Sequence, residues 1–447
     1  MKRRIKLPHA FASFAVIVLT LSGCATYRPL ELSSTAPLAL NVASLDHEIL
    51  GAQPLTVTQV EILAVKNNPE LVAARAQRQI AQAQLLQAGL LPNPQVTGAI
   101  LPLVAGVGTT TAWTAGLSQD IRTLITLSST RRAAQASADQ VDAQVLWQEW
   151  QTIGQARLLA VDIIETERLM AILRQNRDLL ASRYEKSRKA VLAGNQTLTA
   201  SAPDLAALQA IASQLRDQER QQLARRHQLA ALLGLAPDAL LALANKVDLP
   251  SWNSDAVNEA LSTLAYRRPD LVALQLGYRA QDAKLRAAIL SQFPNLTLGI
   301  TGGSDNSNVR NLGPQITLEL PVFNQNQGNI AIETATRQQL HAEHTARLMS
   351  ATGQVRAMAT EIKLISQQLQ SVRKEMAGAR QIAAKAEAAF KEGNIDERSY
   401  VDLVVTRINK EQEIVTMEQS LLDRQIAIAT LIGAGMPAIL LPSGEEL

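Results

Sequence analysis

Across 447 residues the chain has one cysteine, 3% aromatic residues, and no proline between Pro102 and Pro203 or between Pro321 and Pro437. A lone cysteine excludes a disulfide framework and any zinc site built on several thiolates. Scarce aromatics remove the stacking platforms that single-stranded nucleic acid uses. The proline-free stretches favour long helices, because proline inside a helix removes a hydrogen bond and clashes with the preceding turn. Charge of one sign is also lacking. The net charge is +3, and without Lys2, Arg3, Arg4 and Lys6 the balance is −1. Nucleic-acid binding, which needs a clustered cationic surface, has no bulk support. After residue 24 no window approaches the ~18 consecutive apolar residues of a membrane-spanning helix. No strained nucleophile turn of the G-x-S-x-G kind occurs, and the Gly302 to Gly313 segment lacks the lysine of a phosphate loop. With no convergent set of titratable groups, the expectation is no enzyme, no cofactor and no metal site.

What is present begins at the amino end. The basic residues named above precede an apolar stretch, Ala10 to Leu21, too short to span a bilayer. It ends in Leu21-Ser22-Gly23-Cys24, which resembles the lipobox of bacterial lipoproteins. That resemblance implies a signal peptide over 1–23 and a covalent lipid on Cys24, followed by a lipidated N-terminal segment, 24–54. Ala25, in place of the aspartate that retains enteric lipoproteins in the inner membrane, points to the outer membrane.

The rest is duplicated. Asn68-Pro69-Glu70-Leu71-Val72-Ala73 matches Arg268-Pro269-Asp270-Leu271-Val272-Ala273, and Pro94-Gln95-Val96-Thr97 matches Pro294-Asn295-Leu296-Thr297, both at an offset of 200. Ala190 to Asn195 and Leu232-Leu233-Gly234 match Ala389 to Asn394 and Leu431-Ile432-Gly433 at 199. Four matches in register define two repeats, 55–240 and 255–440, joined by a linker, 241–254, and followed by a tail, 441–447.

Each repeat has one grammar. A helix opens at the Asn/Arg-Pro signal and stops before Pro94 or Pro294. Alternating segments follow: Trp113, Ala115 and Leu117 after an irregular partner in 95–105, then Leu296, Leu298 and Ile300 with Ile316, Leu318 and Leu320. Period two predicts strands, with Gly106-Val107-Gly108 and Gly302 to Gly313 as turns. Long helices are expected over 124–193 and 327–392, about 105 and 99 Å at 1.5 Å per residue, with Gly154, Gly353 and Gly378 their only breakers. Leu159, Ile163, Met170, Leu173, Leu180 and Tyr184 keep a coiled-coil rhythm. A second stripe, Leu146, Trp150, Ile153 and Ile164, implies helix neighbours on two sides. After Gly194 and Gly393, where a left-handed residue can end a helix, return helices are expected at about 204–233 and 396–432. Four strands with one apolar face cannot close a barrel alone, so the chain is expected to oligomerise.

Lipobox, duplicated unit, long helices, glycine turns and Leu-Leu-Gly close together resemble the TolC-type outer membrane factors over residues 40 to 440. The resemblance implies a mainly α fold with a small β part. In it a homotrimer makes a 12-stranded outer-membrane β-barrel, continued by a periplasmic α-helical barrel. It further implies a tripartite exporter with a periplasmic adaptor and an inner-membrane RND-type pump, carrying drugs or heavy-metal cations through a passive duct. The junction Leu320 to Ile330 resembles that of the heavy-metal efflux branch. Carried over by position, Gly194 and Gly393 match the turns at the periplasmic tip. Asp402 matches an acidic position of the tip constriction, with Asp396 or Glu397 as alternatives. His341 and His344, three apart, read as solvated surface, as do Asp204 and Arg225-Arg226-His227, with adaptor contact the alternative for the latter group. A lipid-anchored periplasmic coiled-coil adaptor or scaffold, and a type I secretion channel, are the competing functions.

Overall fold

A computed structural model describes residues 27–47, 54–249 and 253–436. Cys24, the signal segment 1–23 and the tail 441–447 lie outside them. Two units are distinguished, divided after Leu38. In the first, the described residues 27–38 contain no helix or strand, and Ser33 Oγ donates to the Thr35 carbonyl at 2.6 Å.

The second unit holds all the named elements. After a single 3-10 turn at Val42–Ser44 come α1 (Val57–Asn67), α2 (Pro69–Ala88), β1 (Gln95–Leu101), β2 (Ala112–Asp120), α3 (Arg122–Leu192) and α4 (Leu198–Leu232). The order then repeats with α5 (Ser254–Ser262), α6 (Leu264–Arg267), α7 (Pro269–Leu290), β3 (Asn295–Ser304), β4 (Arg310–Glu319), α8 (Gln327–Lys391) and α9 (Glu397–Leu431). The fold is mainly α with one small antiparallel sheet in the order β1-β2-β3-β4. Helices α2, α3, α7 and α8 pack side by side in the same order, so that helices and strands form one continuous wall. Beyond it, α4, α3, α9 and α8 pack as neighbours.

Local chemistry explains the boundaries. Thr56 and Gln59 form a capping box that opens α1. Asn68 caps α2, accepting from the Leu71 amide at 2.9 Å, while Pro69 occupies the first helical position, where its missing N–H costs nothing. At the equivalent place Arg268 makes no cap bond. It is instead buried in a bidentate pair with Asp270, at 2.9 and 2.7 Å, with its guanidinium 4.8 Å from the Trp147 ring centroid. The coiled-coil positions Leu159, Ile163, Met170, Leu173 and Leu180 are all buried. They fall in two of the apolar clusters that line the helix interfaces, one with α1 and α4, the other with α4 and α9.

Three expectations need correction. Helix α4 begins at Leu198, not 204, because Thr197 caps it, and Pro203 is absorbed inside at the loss of one backbone bond. The β3–β4 turn shrinks to 305–309, since the strands run on through Gly302, Gly303 and Gly313. No glycine breaks the long helices: α3 runs through Gly154, and α8 through Gly353 and Gly378. Gly154 serves packing instead. A Cβ there would meet Thr430 Oγ1 at 2.5 Å, so its absence lets α3 and α9 approach, and Trp150 Nε1 donates to the Thr430 carbonyl at 2.9 Å beside it. The stretch 241–249 is packed: Leu241 is buried, and Leu55 bonds across to Ala242 and Ala244.

Candidate functional site

The two hairpins, α3–α4 and α8–α9, end in turns of the same construction. Gly194 and Gly393 take φ of +74° and +77°. In the first turn the Asn195 amide bonds to the Ala190 carbonyl at 2.8 Å, and the Gly194 amide to Val191 at 3.0 Å. In the second, Asn394 bonds to Ala389 at 2.8 Å and Gly393 to Phe390 at 3.0 Å. This double bond pattern closes a helix only around a left-handed residue, which glycine adopts without a Cβ penalty.

Just behind the turns the hairpins are tied by charge. Asp204 of α4 is only 1% exposed, so it is core and not helix surface. Arg183 Nε donates to its Oδ1 at 2.7 Å, and Arg398 of α9 reaches its Oδ2 at 2.7 Å. Burial alone would raise the Asp204 carboxyl, but the bonds and charge of Arg183, with Ser187 and Arg398, outweigh it and hold it below the usual range. For Arg183, burial works against its charge, yet Asp204 and Asp402 together raise it. Asp402, Asp396 and Glu397 all lie in this region with different partners. Asp402 is exposed and takes a second bond from Arg183. Glu397 pairs with Lys186 across the hairpins. Asp396 caps α9, accepting from the Ser399 amide at 2.7 Å, which holds its carboxyl low. Sequence reasoning missed Arg183 and Arg398, because the cluster joins positions 194 residues apart.

Other candidates resolve within the chain. Arg225 bonds to Thr166 Oγ1 at 2.7 Å and Arg226 pairs with Glu167, while His227 stays exposed. His344 is half-buried rather than fully solvated, and burial, then the neighbouring His341, lowers it below the ordinary imidazole value. Among the described residues no three His, Cys, Asp or Glu side chains group closely enough to hold a metal ion.

The sheet has two unlike faces. Register places Val96 opposite Leu117, Leu117 opposite Ile300, Leu298 opposite Ile316 and Leu296 opposite Leu318, so these side chains share one face. That face is uncovered: Val96, Ile100, Leu117, Ile300, Ile316 and Leu318 are each more than half exposed. The opposite face carries Thr97, Ser118, Thr297 and Thr317. β1 and β4 are unpaired edges. Among the described residues no helix is long and apolar enough to cross a membrane.

Residues 260–434 match the family model of the outer membrane efflux proteins. The probable outer membrane lipoprotein SilC of Salmonella typhimurium is 25% identical over 193 residues, a match spanning 39% of this chain and 40% of that protein. Solved structures share the fold. CusC aligns with a TM-score of 0.66 at 18% identity over 91% of this chain and 99% of its own. VceC of Vibrio cholerae gives 0.69 at 16%, over 85% and 97%. CmeC of Campylobacter jejuni gives 0.69 at 15%, over 92% and 94%.

Proposed function

We propose that this chain is a TolC-type outer membrane efflux protein and the outer-membrane channel of a tripartite exporter, a reading supported by the match of residues 260–434 to the outer membrane efflux protein family model and by the fold. It performs no reaction; it is a passive exit duct whose transport energy comes from an inner-membrane pump of the RND type, delivered through a periplasmic adaptor. The observation that carries this is the sheet, with an uncovered apolar face, a polar face and two open edges.

In lipid, each unpaired backbone group costs several kcal/mol, so edges must be closed. Strands β1 and β4 run in opposite directions, because three antiparallel pairings separate them. β4 of one copy therefore meets β1 of the next in antiparallel register, and rings of copies close without a parallel seam. Three copies give twelve strands, the number the TolC-type fold implies; the apolar face then meets lipid and the threonine face lines water. In this reading the ring continues as a helical tunnel with most of the chain in the periplasm, which the continuous order of α2, α3, α7 and α8 supports. A lipid on Cys24 adds a second anchor in the outer membrane. The turns at Gly194 and Gly393 then form the tip that meets the adaptor, with Asp402, Asp396 and Glu397 as acidic groups at its mouth. Drugs or heavy-metal cations are the proposed cargo.

Imaging the detergent-purified protein from outer membranes tests the reading. A threefold tube of about 100 Å or more, the length of α3 at 1.5 Å per residue, is expected. Compact or filamentous particles without a lumen would instead make the protein a lipid-anchored scaffold.

A further inference from the structure

The seam between α3 and α9 carries charge where two apolar clusters meet, one reaching Ile164 and Leu422, the other starting at Leu169 and Val415. Most carboxylates there have a donor. Asp162 of α3 accepts from Gln419 Nε2 of α9 at 2.6 Å and lies 3.5 Å from Arg225 Nε of α4. Glu165 has Arg168 at 3.5 Å, and Glu167 is paired with Arg226 of α4. Glu418 of α9 accepts from Arg168 and from Arg373 of α8, both at 2.7 Å.

Asp423 of α9 is the exception. Its Oδ1 is buried and bonds to nothing among the described residues. The nearby cations are engaged elsewhere: Arg225 also donates to Thr166 Oγ1 at 2.7 Å, and Arg424 to Glu361 of α8 at 2.6 Å. On α1, which packs on the same part of α3, Glu61 is held by Arg157 at 2.6 and 3.0 Å. An ionised carboxylate with a buried, unbonded oxygen is costly, and a second carboxylate beside it adds to the cost. Burial, and then the Asp162 charge, push the Asp423 carboxyl up from 3.8 to about 7, with Glu165 adding to the rise and Arg225 and Arg424 opposing it. One proton on Asp423 removes both costs.

We propose that Asp423 is a proton-operated clasp between the two hairpins: with its carboxyl protonated α9 closes against α3, and once ionised it is repelled by Asp162 and Glu165, so that the seam loosens. The stabilisation that the proton supplies is full below 3.8 and is lost as pH rises through about 7. The clasp works through contacts inside one chain and stands whether or not copies of the chain form a duct.

Trp150 of α3 reports on this seam. Its Nε1 donates to the Thr430 carbonyl at 2.9 Å, and Thr430 lies seven residues past Asp423, about two turns along the same face of α9. The test is a titration of tryptophan emission from pH 5.5 to 9 on the full-length, detergent-solubilised protein, with thermal melts over the same range. A transition with a midpoint near 7 is expected in the wild type. Asp423→Asn, which imitates the protonated acid, should hold the low-pH emission throughout. Trp150→Phe should lose the emission change and keep the change in melting. Histidines titrate in the same window, so the difference between the wild type and Asp423→Asn is the quantity read. Between pH 5.5 and 8.5 the wild type should lose about 2 °C or more of melting temperature relative to Asp423→Asn. Asp162→Asn removes the neighbouring charge and should move the midpoint down by about half a pH unit or more; it carries the comparison should Asp423→Asn fail to fold by circular dichroism. An emission transition that survives Asp423→Asn, or melts of the two proteins that run parallel across the range, overturns the proposal. A change in melting without a change in emission overturns the clasp as well, because the proton would then leave the seam closed.

Discussion

The two hairpin turns have the same backbone and opposite surfaces. Both close on a left-handed glycine with the same pair of carbonyl bonds. Around the first stand Leu192 and Leu198, 78% and 75% exposed; their equivalents in the second, 199 residues on, are Lys391 and Glu397. The helix that follows is capped by Thr197 in one repeat and by Asp396 in the other. The duplication has therefore kept what the backbone requires and diverged in the side chains around it, which in the second turn also form ion pairs within the chain. An assembly that places both turns at one tip would offer an adaptor an apolar contact and a charged contact in alternation.

The largest effect is expected where the two hairpins are joined. Asp204→Ala would leave Arg183, whose side chain is 11% exposed, facing a void. Removing one partner of a buried pair costs about 3–5 kcal/mol. The low end applies, because Arg183 keeps Asp402 and the half-exposed Arg398 can turn to water. Calorimetric unfolding should show this loss, and hydrogen exchange should rise in both hairpins, not only in α4. A rise confined to the first hairpin would mean that Asp204 does not couple the two. The carboxyl is held below its ordinary value of 3.8. Its contribution is therefore full above that pH and disappears as pH falls through the lowered folded value.

Gly194→Ala and Gly393→Ala come next, at about 1 kcal/mol each for a left-handed alanine. A Cβ at either position meets nothing within 4 Å, so the cost is purely conformational and should be equal in the two repeats. Unequal losses in thermal melts would show that the turns differ in backbone as well as in surface.

Much of this was readable from pattern, and the reasons are local. Matches at an offset of 200, period-two alternation and the absence of proline all act over neighbouring residues, and they located the strands and the long helices. Thr56 and Gln59 also spelled a capping box that would have identified α1. What misled was equally local. Pro203 looked like a boundary because its own helix bond is lost, whereas the Thr197 cap and the flanking Ala and Leu residues outweigh one bond. Gly154 looked like a breaker because propensity cannot see Thr430 arriving from 276 residues away. The charged cluster was invisible for the same reason. Asp204 is ordinary in Ser201-Ala202-Pro203-Asp204 and becomes a buried anchor only when Arg183 and Arg398 are brought to it.

The smallest and most selective prediction concerns the caps and the exposed carboxylate. Thr197→Ala should cost about 1 kcal/mol at any pH, since a hydroxyl cap does not titrate in the working range. Asp396→Ala should cost more at neutral pH, because a carboxylate accepts the Ser399 amide and also meets the positive end of the α9 dipole. Its carboxyl sits below 3.8 in the folded chain, so the difference between the two variants is full above that pH and vanishes as pH falls through the lowered value. Thermal melts of both variants at pH 7 and pH 3 measure this directly. A pH-independent gap would mean that Asp396 acts by shape alone. Asp402→Ala should move stability least, as the side chain is 60% exposed. In the proposed duct, however, single-channel recordings should show a lower cation preference, because the change removes a carboxylate and leaves Arg183 paired with Asp204 alone. Unchanged selectivity in Asp402→Ala alongside a changed Asp396→Ala would move the proposed acidic lining from α9's first turns to its cap.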